Sequence, residues 1–175
     1  MTAGPAVSDV DSIRGIHFGG TNVGASPVMA SERLAEKGGK TVDALGLALL
    51  VRRLTVPHAL VEIMIANPLI GLTLSVPEER DPSGLGVYMR WLTSEEMLSE
   101  AIDVYPGIVA VARGYFPIGM CLQGSGDPYF FRQSDGAVVR IPHEAASESP
   151  QGLNESAIER VADSVEHLVS LADLE

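Results

Sequence analysis

Apolar residues recur at helical spacing in the first half of the chain and predict two helices there. The first covers 43–54, where Thr41 or Asp43 is placed to cap the opening turn with a side-chain oxygen. Pro57 suits the first turn of a second helix over 58–67, because its ring holds a helical φ angle and it has no N–H to leave unpaired there. The structured part of the chain is therefore predicted to open with helices.

Segments of β-like composition predict strands through the middle of the chain. Two of them, 69–76 and 86–92, flank a Pro- and Gly-rich loop, and Thr93 with Glu96 then matches a capping box that starts a helix. The segments that follow this helix are IVAVA (108–112), PIGMCL (117–122), PYFFR (128–132) and AVVRIP (137–142). Consecutive strands on short turns favour antiparallel pairing, so the predicted fold class is α+β rather than doubly wound α/β.

The C-terminal segment 154–174 carries a helical pattern of apolar residues. The apolar stripe consists of Ile158, Val161, Val165, Leu168 and Ala172, at spacings of three and four. Ser156 and Glu159 stand three residues apart and match a second capping box. The pattern predicts one amphipathic helix that closes the chain.

Residues 1–40 are rich in Gly, Ala and Ser and show no sustained apolar period. They are interpreted as a flexible N-terminal extension with a short helix over Ser31–Lys37. Residues 41–175 then form a single domain, and the 46% hydrophobic content is sufficient for a real core.

The net charge of −11 disfavours a nucleic acid or an anionic membrane as the direct partner, because phosphate recognition needs a basic face. Eight acids against one base, Arg160, place seven of these eleven net charges from Glu144 onward. Two interpretations stay open for this segment. It is either a solvated, solubilising helix face or an acidic surface that meets a basic protein partner.

The single cysteine, Cys121, excludes an intramolecular disulfide and a Cys-rich zinc site. It is typical of a protein from a reducing cytoplasm. The N-terminus lacks the basic region and apolar stretch of a signal peptide, and the longest apolar run, 44–51, is far too short to span a bilayer. The composition therefore favours a soluble cytoplasmic protein.

The motifs of catalysis are incomplete in this sequence. GGKT at 38–41 lacks the first glycine and the preceding strand of a phosphate loop, and Ser125 in QGSGD does not match the G-x-S-x-G elbow. His143-Glu144 lacks the second histidine of H-E-x-x-H, and the four histidines of the chain form no ligand-spaced set. The sequence therefore predicts no catalytic residue, no cofactor and no metal site, and hence no enzyme.

Asp127 and Asp135 leave two interpretations open. Carboxylates that bridge a hairpin could bind a hard cation, whereas aspartates in turns accept hydrogen bonds from backbone amides ahead of them. A hydrolase or metal enzyme would need Asp127, Asp135 and His143 to converge within hydrogen-bond or metal-ligand distance.

The run from PIGMCLQGSGDPYFF to DGAVVRIPHE resembles the signature of the SUKH superfamily, the Smi/Knr-like domains. In that signature a strand with I-G leads to a G-x-G-D turn and an aromatic strand, and a D-G hairpin leads to a strand that ends in histidine and an acid. The matching residues here are Gly119, Gly124, Gly126, Asp127, Tyr129, Phe131, Asp135, Gly136 and His143. The segment from Ser164 to Val169 is similar to the terminal helix of the family.

The resemblance implies a curved, mainly antiparallel sheet packed by helices, without a known catalytic activity. Many bacterial members of the family look like immunity proteins that bind and neutralise toxins, often nucleases or deaminases. The resemblance thus implies a protein-binding domain whose partner is a basic toxin domain. The alternative is a structural or regulatory protein of the same fold that has no toxin partner and self-associates as a homo-oligomer.

Acidic residues of the 77–84 loop and of the C-terminal segment are the candidate contacts to a basic partner. They are Glu78, Glu79, Asp81, Glu159, Asp163 and Glu166. Tyr129 and Phe131 are expected on one side of their strand and Phe130 on the other, since side chains alternate along a strand. One of these two sets is expected in the core, and the other is available to a partner.

Overall fold

A computed structural model describes residues 27–124, 126–146 and 152–174 of the chain. Ser125 and residues 1–26 of the predicted extension lie outside this part. Among the helices that the described ranges contain, none is long and apolar enough to cross a membrane.

Three helices precede the sheet: α1 (Pro27–Glu36), α2 (Ala44–Arg53) and α3 (His58–Ala66). Asp43 caps α2, because its carboxylate accepts a hydrogen bond from the backbone N–H of Gly46 at 2.6 Å. Pro57 immediately precedes α3, as the sequence predicts. Both predicted helices are confirmed, and Asp43 rather than Thr41 is the cap.

Helix α1 lies within the predicted extension, near the short helix expected over Ser31–Lys37. It is not a detached element, since Leu34 is buried in the main hydrophobic core. The backbone of Lys40 then pairs with that of Ile70 in an isolated antiparallel bridge. The described end of the extension therefore packs against the domain.

Seven antiparallel strands of the described residues form one sheet. They are β1 (Thr73–Val76), β2 (Val87–Trp91), β3 (Tyr115–Cys121), β4 (Pro128–Arg132), β5 (Val138–Arg140), β6 (Glu159–Ala162) and β7 (Asp173–Leu174). The order across the sheet is β6-β5-β4-β3-β2-β1-β7, and the sheet curls into a half-barrel. The predicted α+β class with a curved antiparallel sheet is confirmed.

The remaining helices are α4 (Ser94–Asp103), α5 (Gly107–Ala110) and α6 (Val165–Leu171), and three short 3-10 turns cover Val111–Arg113, His143–Ala145 and Glu155–Ala157. Helices α2, α3, α4 and α6 contribute apolar side chains to the main core, which lies against one face of the sheet. The sheet residues with the largest buried side chains in this core are Trp91, Phe116 and Tyr129.

A second, smaller core covers the opposite face of the central strands. It contains Ala110 of α5, Tyr115 of β3, Phe130 of β4 and Ala145 of the 3-10 turn at 143–145, together with Ala137, Val139, Ile141 and Leu153. Tyr129 and Phe131 point into the main core, whereas Phe130 points into the second one. The predicted alternation along β4 is confirmed, but all three side chains are buried, so the expectation that one set is available to a partner is wrong.

The predicted strand IVAVA (108–112) is wrong, because this segment forms α5 and the 3-10 turn that follows it. The helix packs against α4 through Gly107, where a Cβ atom would stand only 1.8 Å from the carbonyl oxygen of Glu100. Packing of Ala110 into the second core overrides the β preference of isoleucine and valine.

The predicted C-terminal helix is confirmed as α6, but its predicted bounds, 154–174, are wrong. The segment also contains a 3-10 turn, β6 and β7, and Ser164 rather than Ser156 caps the helix, since its Oγ accepts from the N–H of His167 at 3.1 Å. Ser156 and Glu159 form no capping box. The apolar spacing of three and four does not require one helix. Val161 is buried from a short strand, and Val165 and Leu168 are buried from the short helix that follows it.

The first turn of α4 is held against β2 by an ion pair. The guanidinium of Arg90 donates to both carboxylate oxygens of Glu96, at 3.0 and 2.6 Å, and Glu96 also accepts from the N–H of Thr93 at 2.8 Å. The Thr93 hydroxyl accepts from the N–H of Glu96 in return, which confirms the predicted capping box. Above all the hydrogen bond from Arg90 lowers the pKa of Glu96 from 4.5 to about 2.

We expect Glu96→Gln to lose about 1 kcal/mol of unfolding free energy at neutral pH, a value kept small because the pair is partly exposed to solvent. The lowered pKa of Glu96 means that its stabilisation is present above pH 4.5, the pKa of the free group, and is lost as pH falls towards about 2. Urea unfolding should therefore show that the difference in unfolding free energy between the parent and Glu96→Gln shrinks as pH falls between these two values. Glu95→Gln, on the exposed side of the same turn, is the control, and an equal and pH-independent effect of both variants would contradict the assignment.

Candidate functional site

The motif residues of the SUKH resemblance lie on strands β3 and β4, in the turns before and after β4, and on the 3-10 turn that follows β5. Gly119 is paired with Tyr129, and a Cβ atom at Gly119 would stand 2.0 Å from the terminal methyl of Met89. Gly124 and Gly126 in the turn before β4 and Gly136 in the turn after it have positive φ angles of 57, 71 and 76°. These glycines therefore serve close packing and turn geometry, which side chains would strain.

Asp127 and His143 meet at one end of the β4–β5 hairpin. Oδ1 of Asp127 accepts from the backbone N–H of His143 at 3.0 Å and lies 2.8 Å from Nδ1 of its ring. Asp127 is buried, whereas about half of the His143 side chain is exposed. The carboxylate thus ties the start of β4 to the chain that follows β5.

Glu100 of α4 is the third ionisable group at this end. Burial raises its pKa, and the charge of His143 and a hydrogen bond from the N–H of Gly107 act in the opposite direction. Its Oε1 atom is buried and has no hydrogen-bond partner among the described residues. Helix α4 therefore brings a partly buried carboxyl towards the Asp127–His143 pair.

Asp135 lies at the other end of β4 and does not join this group. Its carboxylate accepts two hydrogen bonds from Arg132, at 2.8 and 2.6 Å, and one from Arg160 at 3.2 Å. The hydrogen bond from Arg132, more than any other contact, holds the pKa of Asp135 well below its usual range. It also accepts from the N–H of Ala137, as expected of a turn aspartate.

The set of Asp127, Asp135 and His143 that a hydrolase or metal enzyme would need is therefore not assembled. Across the described ranges, no three His, Cys, Asp or Glu side chains are grouped so that they could hold a metal ion. The Asp127–His143 contact remains a pair that joins two segments of the backbone.

The acidic candidate contacts have different surroundings. Glu79 is exposed, and Glu78 lines a pocket of about 190 Å³ together with Leu85 and Gln123. Asp81 is only 5% exposed and accepts from the backbone N–H of Ser83 at 3.0 Å. It is therefore not available as a surface contact to a partner.

The other three candidates belong to the C-terminal segment. Glu159 lies on β6 and accepts from the nearly buried Arg140 at 2.6 Å, so its charge is neutralised within the protein. Asp163 accepts from Arg160 at 2.8 Å, and Glu166 is exposed in the first turn of α6. Only Glu166 of these three is exposed without an ion pair among the described residues.

A cluster of exposed apolar side chains lies where α4 ends and α5 begins. Its members are Ile102, Val104, Tyr105 and Ile108, with exposed fractions of 39, 40, 37 and 38%. We call these four residues the α4–α5 corner. The corner is not among the sequence-predicted sites, because the β-like pattern of 108–112 assigns Ile108 to a strand. The signal of the corner in the sequence is the pair Val104-Tyr105 directly before Pro106-Gly107.

Acidic residues accompany the α4–α5 corner on α4 itself and on the 3-10 turn at 143–145. Asp103 is exposed within it, and Glu100 precedes it on the same helix. Glu144 is exposed on the 3-10 turn at 143–145, which packs into the second core together with α5. Arg113, the base nearest in sequence to α5, faces Glu155 at 3.5 Å.

Comparison of the chain with protein-family models, with curated proteins and with solved structures gave no match. The SUKH resemblance therefore rests on the motif residues of the sequence alone.

We expect Asp127→Ala to lower the free energy of unfolding by about 1–3 kcal/mol, because the N–H of His143 would lose its buried acceptor. Asp127→Asn should cost less, since its amide oxygen can still accept that hydrogen bond. Glu144→Ala, an exposed neighbour, is the control and should stay within about 0.5 kcal/mol of the parent. Urea unfolding of the three variants measures this, and equal stability of Asp127→Ala and Glu144→Ala would contradict the role given to Asp127.

Proposed function

We propose that this chain is a non-enzymatic protein-binding domain of the SUKH type, and that it acts as an immunity protein. In this proposal it binds and neutralises a basic bacterial toxin domain of the nuclease or deaminase class. The observation that carries the protein-binding part is the α4–α5 corner, where four large apolar side chains within the seven residues 102–108 are exposed. Contiguous exposed apolar surface on a protein marks an interaction site more often than isolated exposed residues do.

The charge of the chain supports a basic partner. The net charge of −11 repels nucleic acids and favours encounter with a protein of opposite sign. A nuclease or deaminase needs a basic cleft for its nucleic-acid substrate, and an acidic protein that covers this cleft would block it. The toxin itself is inferred from the SUKH resemblance and not from charge.

The motif residues support a structural role for the signature. Gly119, Gly124, Gly126 and Gly136 serve packing and turns, and Asp127 joins two backbone segments. A scaffold held by such residues leaves its loops and corners available for recognition, which is where binding residues are concentrated in proteins.

Self-association without a toxin is the second candidate function. Its support is the exposed apolar surface of the early helices, where Leu45 and Val51 on α2 and Ile65 on α3 are 80, 52 and 53% exposed. Arg52 and Arg53 in the last turn of α2 supply basic charge that a head-to-tail contact could set against an acidic surface of a second copy.

The test is affinity capture by the full chain from a lysate of its source organism, at low salt and then at about 0.5 M salt, where exposed charges are screened. The expected result is a basic protein that is released at high salt, is toxic when expressed alone, and is tolerated when this chain is co-expressed. A captured protein that is not toxic would remove the immunity role. Capture of this chain alone, with a dimer in sedimentation analysis, would favour self-association.

A further inference from the structure

We infer that the α4–α5 corner is the partner-binding surface of this domain, and that it fits a basic protein surface with an apolar pocket for Tyr105. This inference rests on the proposed protein-binding function and names the surface and the chemistry of the partner. It differs from the sequence-based expectation, which places the contacts on the 77–84 loop and the C-terminal segment.

Close packing anchors α5, which carries one end of the corner, at both its first and its last residue. At Gly107 the backbone of α5 approaches the carbonyl oxygen of Glu100 so closely that no side chain would fit, and the N–H of Gly107 donates to the Glu100 carboxylate. Ala110 at the other end of α5 is fully buried in the second core. A surface held in one conformation loses little conformational entropy on binding, which favours affinity.

The residue types of the corner suit an interface centre. Tyr105 offers a large side chain that can be buried while its hydroxyl finds a polar partner, and tyrosine is enriched among the residues that dominate binding energy. Ile102, Val104 and Ile108 supply apolar area around it. An apolar centre with a polar rim is the usual arrangement of protein interfaces.

The rim is acidic, and this determines the kind of partner. Asp103 and Glu144 are exposed, and no Lys, Arg or His of the described residues forms an ion pair with either. Arg113 already faces Glu155. A basic surface around the partner's pocket would therefore complement the rim, whereas a phosphate backbone would be repelled.

A second copy of the chain fits this surface poorly. A two-fold contact would set the same patch against itself, so that Asp103 and Glu144 of both copies would lie at one interface. Like charges in that arrangement are unfavourable. The apolar surface of α2 is also a poor candidate for a basic partner, since Arg52 and Arg53 are exposed in its last turn.

Photo-crosslinking in living cells of the source organism tests the inference. A photoreactive phenylalanine analogue is placed in the full chain at Tyr105, and in separate chains at Leu45, Glu79 and Glu166. The expected result is an adduct from position 105 to a different protein of basic isoelectric point, with little or none from the other three positions. An adduct only from 79 or 166 would move the interface to the acidic segments and overturn the inference while leaving the protein-binding function intact.

The remaining outcomes separate the two proposals further. An adduct from position 105 to a second copy of this chain, or to a protein without basic character, overturns the inference. Failure of all four positions to reach another protein overturns the inference and removes support from the protein-binding function as well.

Affinity measurements with the purified crosslinked partner complete the test. Tyr105→Ala should weaken binding about 30-fold or more, as expected for a central interface residue, and Ile108→Ala should weaken it in the same direction. Leu45→Ala, at the most exposed apolar position of α2, is the matched control and should change the dissociation constant less than about threefold. Equal effects of Tyr105→Ala and Leu45→Ala would contradict the role of the corner.

The acidic rim has its own pair of variants. Asp103→Lys combined with Glu144→Lys should slow association about tenfold or more at low salt, because opposite charge steers encounter. Glu79→Lys combined with Glu166→Lys changes two exposed acids outside the corner and is the control for the same change in net charge. An effect of this control that equals or exceeds that of the Asp103→Lys and Glu144→Lys pair would show that the basic partner does not bind at the corner.

Discussion

Burial of β4 on both of its faces is the constraint on which the rest of this structure depends. Tyr129 and Phe131 enter the main core and Phe130 enters the second one, and each is almost completely removed from solvent. Burial of an aromatic side chain of this size stabilises a fold by about 2–3 kcal/mol. A strand with apolar residues on both faces is stable only if other elements pack against each face. The helices of the main core pack on one side of the sheet, and α5 and short 3-10 turns pack on the other.

The corner is exposed because α5, which covers the second core, is short. Helix α5 has four residues, and only its Gly107 and Ala110 are buried. Ile108 and the apolar residues that precede Pro106 therefore stay at the surface, while neighbouring acids keep this surface soluble. In the proposed function, this exposed apolar surface is the site that binds the partner. The acidic segments predicted from sequence are less well suited to bind a partner, since Asp81 is buried and Glu159 pairs with Arg140.

Local signals in the sequence predicted the parts of the fold that depend on neighbouring residues. Thr93 and Glu96 cap α4 as their spacing indicates, and the alternation along β4 is correct. The prediction of a strand over 108–112 is wrong, because the contact of Gly107 with α4 outweighs the local β preference of these residues. The exposure of the corner depends on which side of α5 faces the second core, so the local β preference misplaces it, and the pair Val104-Tyr105 before the Pro-Gly turn is its one local signal. By contrast, nothing local indicates that Asp127 bonds to His143, sixteen residues away.

The reactivity of the four tyrosines tests this account most directly, because each has a different surrounding. Tyr105 lies in the exposed corner, Tyr88 is partly exposed on β2, Tyr115 lies in the second core and Tyr129 in the main core. Tyrosine nitration of the free full chain, followed by mass spectrometry, should modify Tyr105 fastest, Tyr88 more slowly, and Tyr115 and Tyr129 last. Modification of Tyr115 or Tyr129 as fast as Tyr105 would contradict the two-sided burial of the sheet and the exposed corner that follows from it.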